Sequence, residues 1–197
     1  MRVVLADYGA GNLRSVGSAL HRAGAEPSVS SSPAEIREAP LAVIAGVGHV
    51  ESAARGLGLL ADALRERAAA GRPILGICVG LQLFFGESEE GGSGLGLLRG
   101  SVRRLRARTV PHMGWNALVT RRPSALLEGL DGEDVYFAHS FAAEPEDDVA
   151  VALVDHGRPI VAAVESGPLA GVQFHPERSG AAGARLLENA LRWSRSA

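Results

Sequence analysis

Cys78 is the only cysteine of the sequence and the first residue that could do chemistry. It stands between two glycines, in the frame Gly76-Ile-Cys-Val-Gly80. The apolar run 73–77 before it predicts a short buried strand, and the apolar residues of 79–85 recur at helical spacing. This frame predicts a nucleophile at a strand-to-helix bend, where the glycines let neighbouring backbones approach and the thiol projects from the end of a sheet.

A lone cysteine is more often a small buried hydrophobe than a nucleophile, so its meaning depends on a base elsewhere in the chain. The run His175-Pro-Glu177 supplies that base. The proline biases His175 toward an extended conformation, in which Glu177 points the same way and its carboxylate can reach one ring nitrogen. That contact fixes the tautomer and leaves the other nitrogen to take a proton from the thiol. We therefore predict a catalytic triad of Cys78, His175 and Glu177.

The elements that must position this triad alternate between apolar strands and helical segments. The first predicted strands are at 3–6, 26–30 and 41–45. Such alternation is typical of an α/β fold with three layers, a mostly parallel central sheet and helices on both faces. In the second half the strands become shorter and turn signals separate them, which predicts an antiparallel extension. Sites form at the carboxyl ends of parallel strands, where the loops Asp7–Asn12 and Gly46–Gly48 and the nucleophile Cys78 all fall.

Composition narrows the class of protein. The 197 residues are 46% hydrophobic and 21% charged, which suits a single domain over residues 1–197. The net charge of −2 offers no broad attraction to nucleic acid or to an anionic membrane, and no apolar run approaches the ~20 residues of a spanning helix. A single cysteine cannot form an internal disulfide, and no targeting segment is recognised, so we expect a cytoplasmic protein.

The motifs together resemble the class I (triad) glutamine amidotransferases, which have a Gly-x-Cys-x-Gly elbow and a His-Pro-Glu near the end of the chain. Within that class, the sequence is most similar to the glutaminase subunits of imidazole glycerol phosphate synthase. The similarity spans residues 3–179 and includes Asp7–Val16, Gly46–Gly48, Ser88–Glu90, Pro111–Asn116 and His139–Phe141. The run Pro-His-Met-Gly-Trp-Asn at 111–116 is the most specific of these blocks.

The resemblance implies a glutaminase in which Cys78 attacks the carboxamide of glutamine and forms a thioester. The oxyanion would be held by the N–H of Val79 and by the loop that contains Gly46 and Val47. The family usually has proline before this loop, where this sequence has Ala45. The positions that hold the substrate in the family correspond to Gln82, Glu90, Ser140 and Phe141, the last often a tyrosine. The reaction calls for no metal and no organic cofactor.

The resemblance also implies a heterodimer with a cyclase subunit, a (β/α)8 barrel that receives the ammonia. The cyclase would make imidazole glycerol phosphate and an aminoimidazole carboxamide ribotide in histidine biosynthesis. The positions that face this subunit in the family correspond to Asn12, His112, Met113, Trp115, Tyr136 and Arg178. The segment that follows Pro111 is predicted as a turn, where an aromatic and a methionine suit a partner surface.

Two other functions fit part of the pattern. Another triad amidotransferase, such as the glutaminase of pyridoxal phosphate or anthranilate synthesis, would share the elbow and the His-Pro-Glu run, but Pro111–Asn116 argues against both. A non-catalytic scaffold would keep the fold and lose the site, and the intact Cys78, His175 and Glu177 argue against that.

Overall fold

The computed structural model describes residues 1–196, and strands alternate with helices through its first part. In chain order the elements are β1 (Arg2–Ala6), α1 (Leu13–Arg22), β2 (Glu26–Ser30), α2 (Pro33–Glu38), β3 (Leu41–Gly46), α3 (Val50–Leu57), α4 (Leu60–Ala69), β4 (Ile74–Cys78), α5 (Val79–Gln82), β5 (Phe85–Ser88), β6 (Leu98–Arg104), β7 (His112–Ala117), β8 (Val119–Thr120), β9 (Asp134–His139), β10 (Phe141–Pro145), β11 (Ala150–Asp155), β12 (Pro159–Ser166), β13 (Leu169–Val172) and α6 (Gly180–Trp193), with a 3-10 helix at Pro176–Arg178 before α6.

The central sheet has eight strands in the order β2-β1-β3-β4-β13-β12-β11-β8. The pairs from β2 to β13 are parallel, and those from β13 to β8 are antiparallel. Every residue of β3 and β4 is buried, as expected for central strands that are covered on both faces. The predicted α/β class, with a mostly parallel sheet and an antiparallel extension, is therefore confirmed.

The strand order explains how helices come to cover both faces. Because β1 lies between β2 and β3, the crossovers β1–α1–β2 and β2–α2–β3 run in opposite directions, and right-handed connections then put α1 and α2 on opposite faces. Helices α3 and α4 continue in the direction of α2 and share its face. The contacts agree, since α2 packs against α4 and α1 packs against α6.

Arg67 on α4 fixes the entry into β4. It is 1% exposed, and its guanidinium donates to the carbonyl oxygens of Ile36, Arg37, Pro40 and Pro73 at 2.8–3.3 Å. Burial lowers the pKa of Arg67 to about 10, which still leaves the side chain charged at neutral pH. The buried guanidinium of Arg67 thus connects α4 to α2 and to the segment that enters β4.

Two elements differ from the sequence-based expectation. The helix predicted over 79–85 ends at Gln82, because the carbonyls of Leu83 and Phe84 bond to the N–H groups of residues 95, 97 and 98, after which Phe85 enters β5. The segment predicted as a turn after Pro111 is strand β7, which pairs antiparallel with β9 in a separate two-stranded sheet. None of the helices within residues 1–196 combines the length and hydrophobicity needed to span a membrane.

Candidate active site

Cys78 is the last residue of β4 and directly precedes α5, at the bend that the sequence predicts. Its backbone has φ 55° and ψ −109°, and among residues 1–196 it is the only residue other than glycine with a positive φ. A Cβ added at Gly76 would lie 2.6 Å from the Gly80 carbonyl oxygen, and one added at Gly80 would lie 1.8 Å from that of Ile44. Both glycines are therefore needed for the bend that presents the thiol.

His175 follows β13, the strand that pairs with β4, so the two segments reach the same end of the sheet. Its Nδ1 atom lies 2.9 Å from Oε1 of Glu177, and both side chains are buried. The sequence predicts this contact from an extended chain between His175 and Glu177. His175 is extended, but a 3-10 turn at Pro176–Arg178 places Glu177 against the imidazole ring. The His175 N–H also donates to the Tyr136 carbonyl at 2.9 Å, which fixes the backbone behind the imidazole.

Two opposing effects set the protonation of His175. Burial lowers its pKa, but hydrogen bonds to Cys78 and Glu177, together with the charges of those groups, outweigh burial and raise the pKa to about 10. The imidazole is therefore protonated at neutral pH, between a thiol and a carboxylate. This arrangement can supply a sulfur nucleophile and then give a proton to a leaving group.

A cavity of about 390 Å³ is lined by Cys78, His175 and Glu177. Its wall also contains all four predicted substrate residues, which are Gln82, Glu90, Ser140 and Phe141, and two predicted oxyanion residues, Val47 and Val79. Gly46 adjoins the nucleophile, since it pairs with Cys78 in the register of β3 and β4. The structure thus brings the predicted triad, oxyanion and substrate residues together around one cavity, and their roles stay predictions.

Two of the predicted substrate residues are hydrogen-bonded within the protein. Oε1 of Glu90 lies 2.8 Å from Nδ1 of His49, and Oε2 accepts the Val50 N–H at 2.8 Å, so the carboxylate caps α3. The Nε2 atom of Gln82 donates to the Phe141 carbonyl at 2.8 Å. Protein contacts therefore hold the polar groups of the cavity in place before any substrate is bound.

Tyr8 holds the start of the loop between β3 and α3, a contact that the sequence did not indicate. Its hydroxyl donates to the Ala45 carbonyl at 2.8 Å. Burial raises the pKa of Tyr8 and the neighbouring Cys78 raises it further, so the phenol remains a donor. A Cβ at Gly46 would lie 2.7 Å from both the Tyr8 hydroxyl and the Val79 Cβ atom, so only glycine fits this close approach.

A chain of imidazoles lies behind the cavity wall on β7 and β9. His139 bonds through Nδ1 to the Phe141 carbonyl at 2.8 Å and through Nε2 to Nδ1 of His112 at 3.1 Å. Nε2 of His112 accepts from Asn116, which also donates to the Asp155 carbonyl. Because a carbonyl oxygen only accepts, Nδ1 of His139 must donate to Phe141, which leaves Nε2 of His139 as an acceptor. Nδ1 of His112 then donates to His139, so the hydrogen bonds all run in one direction, from Asn116 to Phe141. Burial lowers the pKa of His139 to about 3 and that of His112 to about 4, so both rings are neutral.

An exposed surface beside the cavity contains Met113 and Trp115 of β7, which are 65% and 57% exposed. The Trp115 ring meets Tyr136 edge-on with the ring centroids 6.0 Å apart, and the Arg178 guanidinium lies 4.3 Å from the centre of the Tyr136 ring. Met113, Arg178 and Asn12 also line the cavity. An exposed methionine, aromatics and an arginine have the composition of a protein interface. We call Met113, Trp115, Tyr136 and Arg178 the mouth surface.

His112 differs from the other residues predicted to face a partner. It is 3% exposed and stacks on Phe137 and His156, with centroid distances of 4.5 Å and 4.2 Å. The reason is the strand that replaces the predicted turn, since alternate side chains of a strand point to opposite faces. Met113 and Trp115 therefore point outward, and His112 points into the protein.

Residues 4–193 match the family model described as glutamine amidotransferase class-I. The sequence is 45% identical over 190 residues to imidazole glycerol phosphate synthase subunit HisH of Methanothermobacter thermautotrophicus, with 95% of this chain and 96% of that protein covered. It is 46% identical over 198 residues to the subunit of the same name from Mycobacterium leprae, with 96% of each covered.

Two solved structures share the fold at low sequence identity. A crystal structure of a glutamine amidotransferase has a TM-score of 0.78 at 20% identity, and PurLQS from Thermotoga maritima has a TM-score of 0.76 at 23% identity. In each comparison 98% of both chains is covered. The similarity thus extends over the whole architecture and not only over the elbow.

Proposed function

The chain belongs to the class-I glutamine amidotransferases and, within them, to the family of imidazole glycerol phosphate synthase HisH subunits, and we propose that it hydrolyses glutamine with Cys78 and delivers the ammonia to a cyclase subunit. The observation that carries this proposal is the thiol, imidazole and carboxylate of Cys78, His175 and Glu177 on the wall of one cavity. We assign the activity to a single domain over residues 1–197, supported by the family match over 4–193.

Cys78 is the nucleophile of the proposed reaction. With His175 protonated beside it, the sulfur attacks the γ-carboxamide carbon as a thiolate, and the carbonyl electron pair moves to oxygen. Val79 is the first residue of α5, so its N–H has no intrahelical acceptor and is available to the oxyanion. The loop of Gly46 and Val47 supplies the second donor, and one such donor contributes about 10²–10³ in rate.

His175 moves the protons of the following steps. It protonates the amide nitrogen, the C–N bond breaks, and ammonia leaves a γ-glutamyl thioester on Cys78. The neutral imidazole then takes a proton from water, whose oxygen attacks the thioester carbon. The C–S bond breaks, its electron pair returns to sulfur, and glutamate leaves while thiolate and imidazolium are restored. Glu177 keeps the ring oriented in both half-reactions.

Charge complementarity supports the assignment of Glu90 to the substrate. Glu90 and Glu177 are the only carboxylates among the described residues that line the cavity. Glu177 belongs to the proposed triad, whereas the contacts of Glu90 are with His49 and the Val50 N–H, outside the triad. Glu90 is therefore the group that fits the α-ammonium of glutamine. We assign Gln82 to the substrate through its amide oxygen, since its NH2 group faces protein acceptors, and Ser140 and Phe141 through their backbone groups.

The proposed partner is a cyclase subunit with a (β/α)8 barrel, bound in a heterodimer through the mouth surface and Asn12. The exposure of Met113 and Trp115 supports this assignment, as does the word subunit in the names of the relatives. His112 would contribute from behind the surface, as packing for β7. The cyclase would use the ammonia to form imidazole glycerol phosphate and an aminoimidazole carboxamide ribotide, in histidine biosynthesis. The scheme uses no metal and no organic cofactor.

Replacing the nucleophile tests the proposal, because ammonia production and ammonia use can be separated. In a complex with the cyclase, Cys78→Ala should abolish synthesis from glutamine and leave synthesis from added ammonium salt at the wild-type rate. The ammonium-dependent rate is the internal control for folding and assembly. Glutamine-dependent synthesis that survives in Cys78→Ala would remove Cys78 from the mechanism.

A further inference from the structure

Gln173 contacts the proposed nucleophile, although it has no role in the scheme above. Its Nε2 atom lies 3.6 Å from Sγ of Cys78, within hydrogen-bonding distance for sulfur. It is 0% exposed and stands between Val172 and Phe174, which are also fully buried. A buried amide among apolar residues is unfavourable unless its polar atoms find partners, so its contacts are informative.

The orientation of the Gln173 amide is fixed by its neighbours. Nε2 of Gln82 donates to the Phe141 carbonyl at 2.8 Å, and a carbonyl oxygen can only accept, so Gln82 must present its NH2 group there. The same NH2 group lies 3.1 Å from Oε1 of Gln173. If the Gln173 amide were reversed, two NH2 groups would face each other. The backbone carbonyl of Phe141 therefore determines, through Gln82, that Gln173 presents a donor to the sulfur.

A fixed N–H donor acts differently on the two forms of a thiol. A thiol sulfur is a weak acceptor, whereas a thiolate is a full negative charge that accepts strongly. The donor therefore favours the anion and also restricts its direction. It does so without titrating, unlike the titratable groups near the sulfur, which are Tyr8 from the loop after β1 and His175 with its partner Glu177 from the segment after β13.

We propose that Gln173 is a further catalytic residue, a neutral donor that holds the Cys78 sulfur as an anion and sets its direction, and that Gln82 is the residue that positions it. The proposal rests on the proposed function, in which this sulfur is the nucleophile. It gives Gln82 a task that is independent of substrate, since both of its amide hydrogens are directed at protein acceptors.

The rate of alkylation of Cys78 by iodoacetamide, measured against pH in the full chain, tests the role of Gln173. Gln173→Met keeps the length of the side chain and removes the donor. We expect the pH profile of the alkylation rate to move to higher pH by about one to two units, the size of one hydrogen bond to a charged group, with the alkaline plateau unchanged. Gln173→Glu places carboxylate oxygens at the sulfur and should slow alkylation further. A pH profile that is unmoved in Gln173→Met would overturn the proposal.

Gln82→Met tests the positioning role, because it removes the donor to the Gln173 amide oxygen and leaves Gln173 itself in place. Alkylation should slow in the Gln82→Met variant but change little when the substitution is added to Gln173→Met, because the two residues act in series. If Gln82 serves the substrate alone, alkylation by this small reagent will be unaffected and only KM for glutamine will rise. That outcome would remove Gln82 from the positioning role.

Asn189→Leu is the matched control for losing a buried amide. Asn189 lies on α6, is 1% exposed, and donates to the carbonyls of Leu126 and Glu128 at 3.0 Å. Its loss should lower the melting temperature and leave the alkylation profile of Cys78 unchanged. Glutamine turnover by the wild-type complex is measured in parallel. If that turnover is absent, the proposed function fails, whereas turnover with an unmoved Gln173→Met profile contradicts only the inference on Gln173.

Discussion

The direction of the Cys78 thiol depends on an unfavourable backbone conformation. At φ 55° and ψ −109° a residue with a Cβ atom is strained, at a cost of about 1–3 kcal/mol, and glycine avoids this cost. Neighbouring backbone atoms pack closely against Gly76 and Gly80, so the backbone at Cys78 has no room to relax to another conformation. The conformation of Cys78 is therefore expected to lower the stability of the folded protein.

We predict that Cys78→Gly is more stable than Cys78→Ala by about 1 kcal/mol, the relief of backbone strain less the extra entropy that glycine loses on folding. Both variants remove the thiol beside His175, so the loss of the sulfur cancels in their difference. Free energies of unfolding from urea titrations provide the measurement. Equal stability of the two variants would mean that the bend stores no strain.

At the scale of single residues, the sequence predicts the members of the site that are of a rare type or that lie in a specific short motif. Cys78, His175 and Glu177 are predicted from the sequence because each lies in a short motif, and the structure brings them to one cavity. Tyr8 and Gln173 were not assigned, because their partners Ala45 and Cys78 are distant in the sequence. The signal that could have found Gln173 is a polar residue between apolar ones in a strand-like run.

At the scale of elements, the position of β4 depends on the buried cation of α4. The guanidinium of Arg67 is satisfied by backbone carbonyls and not by a carboxylate, so its removal takes the side-chain donor from the carbonyls of Ile36 and Pro40. The carbonyls of Pro73 and Arg37 keep a second donor, from Ala42 and Arg72. A buried acceptor that loses its partner costs about 1–3 kcal/mol. The segment from α2 to the start of β4 should therefore be sensitive to this one side chain.

We predict that Arg67→Met lowers the free energy of unfolding by about 3 kcal/mol or more, because at least two buried carbonyls lose their donor. Arg55→Met is the control, since Arg55 is 73% exposed and its pair with Glu51 is worth about 0–1 kcal/mol. Urea unfolding of both variants checks the difference. An effect of Arg67→Met no larger than that of Arg55→Met would contradict the role of the carbonyl contacts.

Elements with strong local periodicity were predicted well, and those formed by distant pairing were not. The strands at Arg2–Ala6 and Leu41–Gly46 follow from local apolar runs. Pro111 and Gly114 predict a turn at 111–114, whereas the conformation of strand β7 comes from its pairing with β9. The end of α5 likewise depends on carbonyl contacts with a loop more than ten residues away.

At the scale of the whole molecule, the mouth surface and the loop of Gly46 and Val47, the proposed oxyanion donor, border the same cavity. We predict that the isolated chain hydrolyses glutamine slowly and that a cyclase carrying its ligand accelerates it, mainly in kcat, by about the 10²–10³ that one oxyanion donor contributes. The loop is held by Tyr8 at its start and by Glu90 at its end, so a partner must shift a loop that is already bonded. Steady-state glutamate release with and without the cyclase provides the measurement.

Trp115→Ala should weaken this acceleration without slowing alkylation of Cys78. Leu59→Ala is the matched control, because Leu59 is an exposed hydrophobic residue, at 78%, that does not line the cavity. If the isolated chain already turns over glutamine as fast as the complex, the loop is in its active position from the start. Ala45 is relevant here, since the freer backbone it gives in place of proline favours a higher basal rate.

The one-way chain of imidazoles from Asn116 to Phe141 has a consequence for the electrical charge of the product. In the proposed reaction His175 has just lost its proton when ammonia leaves, and His139 in the cavity wall is neutral with both nitrogens engaged. Neither ring can convert the departing base to ammonium. An uncharged molecule crosses a dry passage far more easily than an ion, which would have to leave its hydration shell behind. In the proposed reaction, His139 and His175 thus leave the nitrogen in its nucleophilic, transferable form.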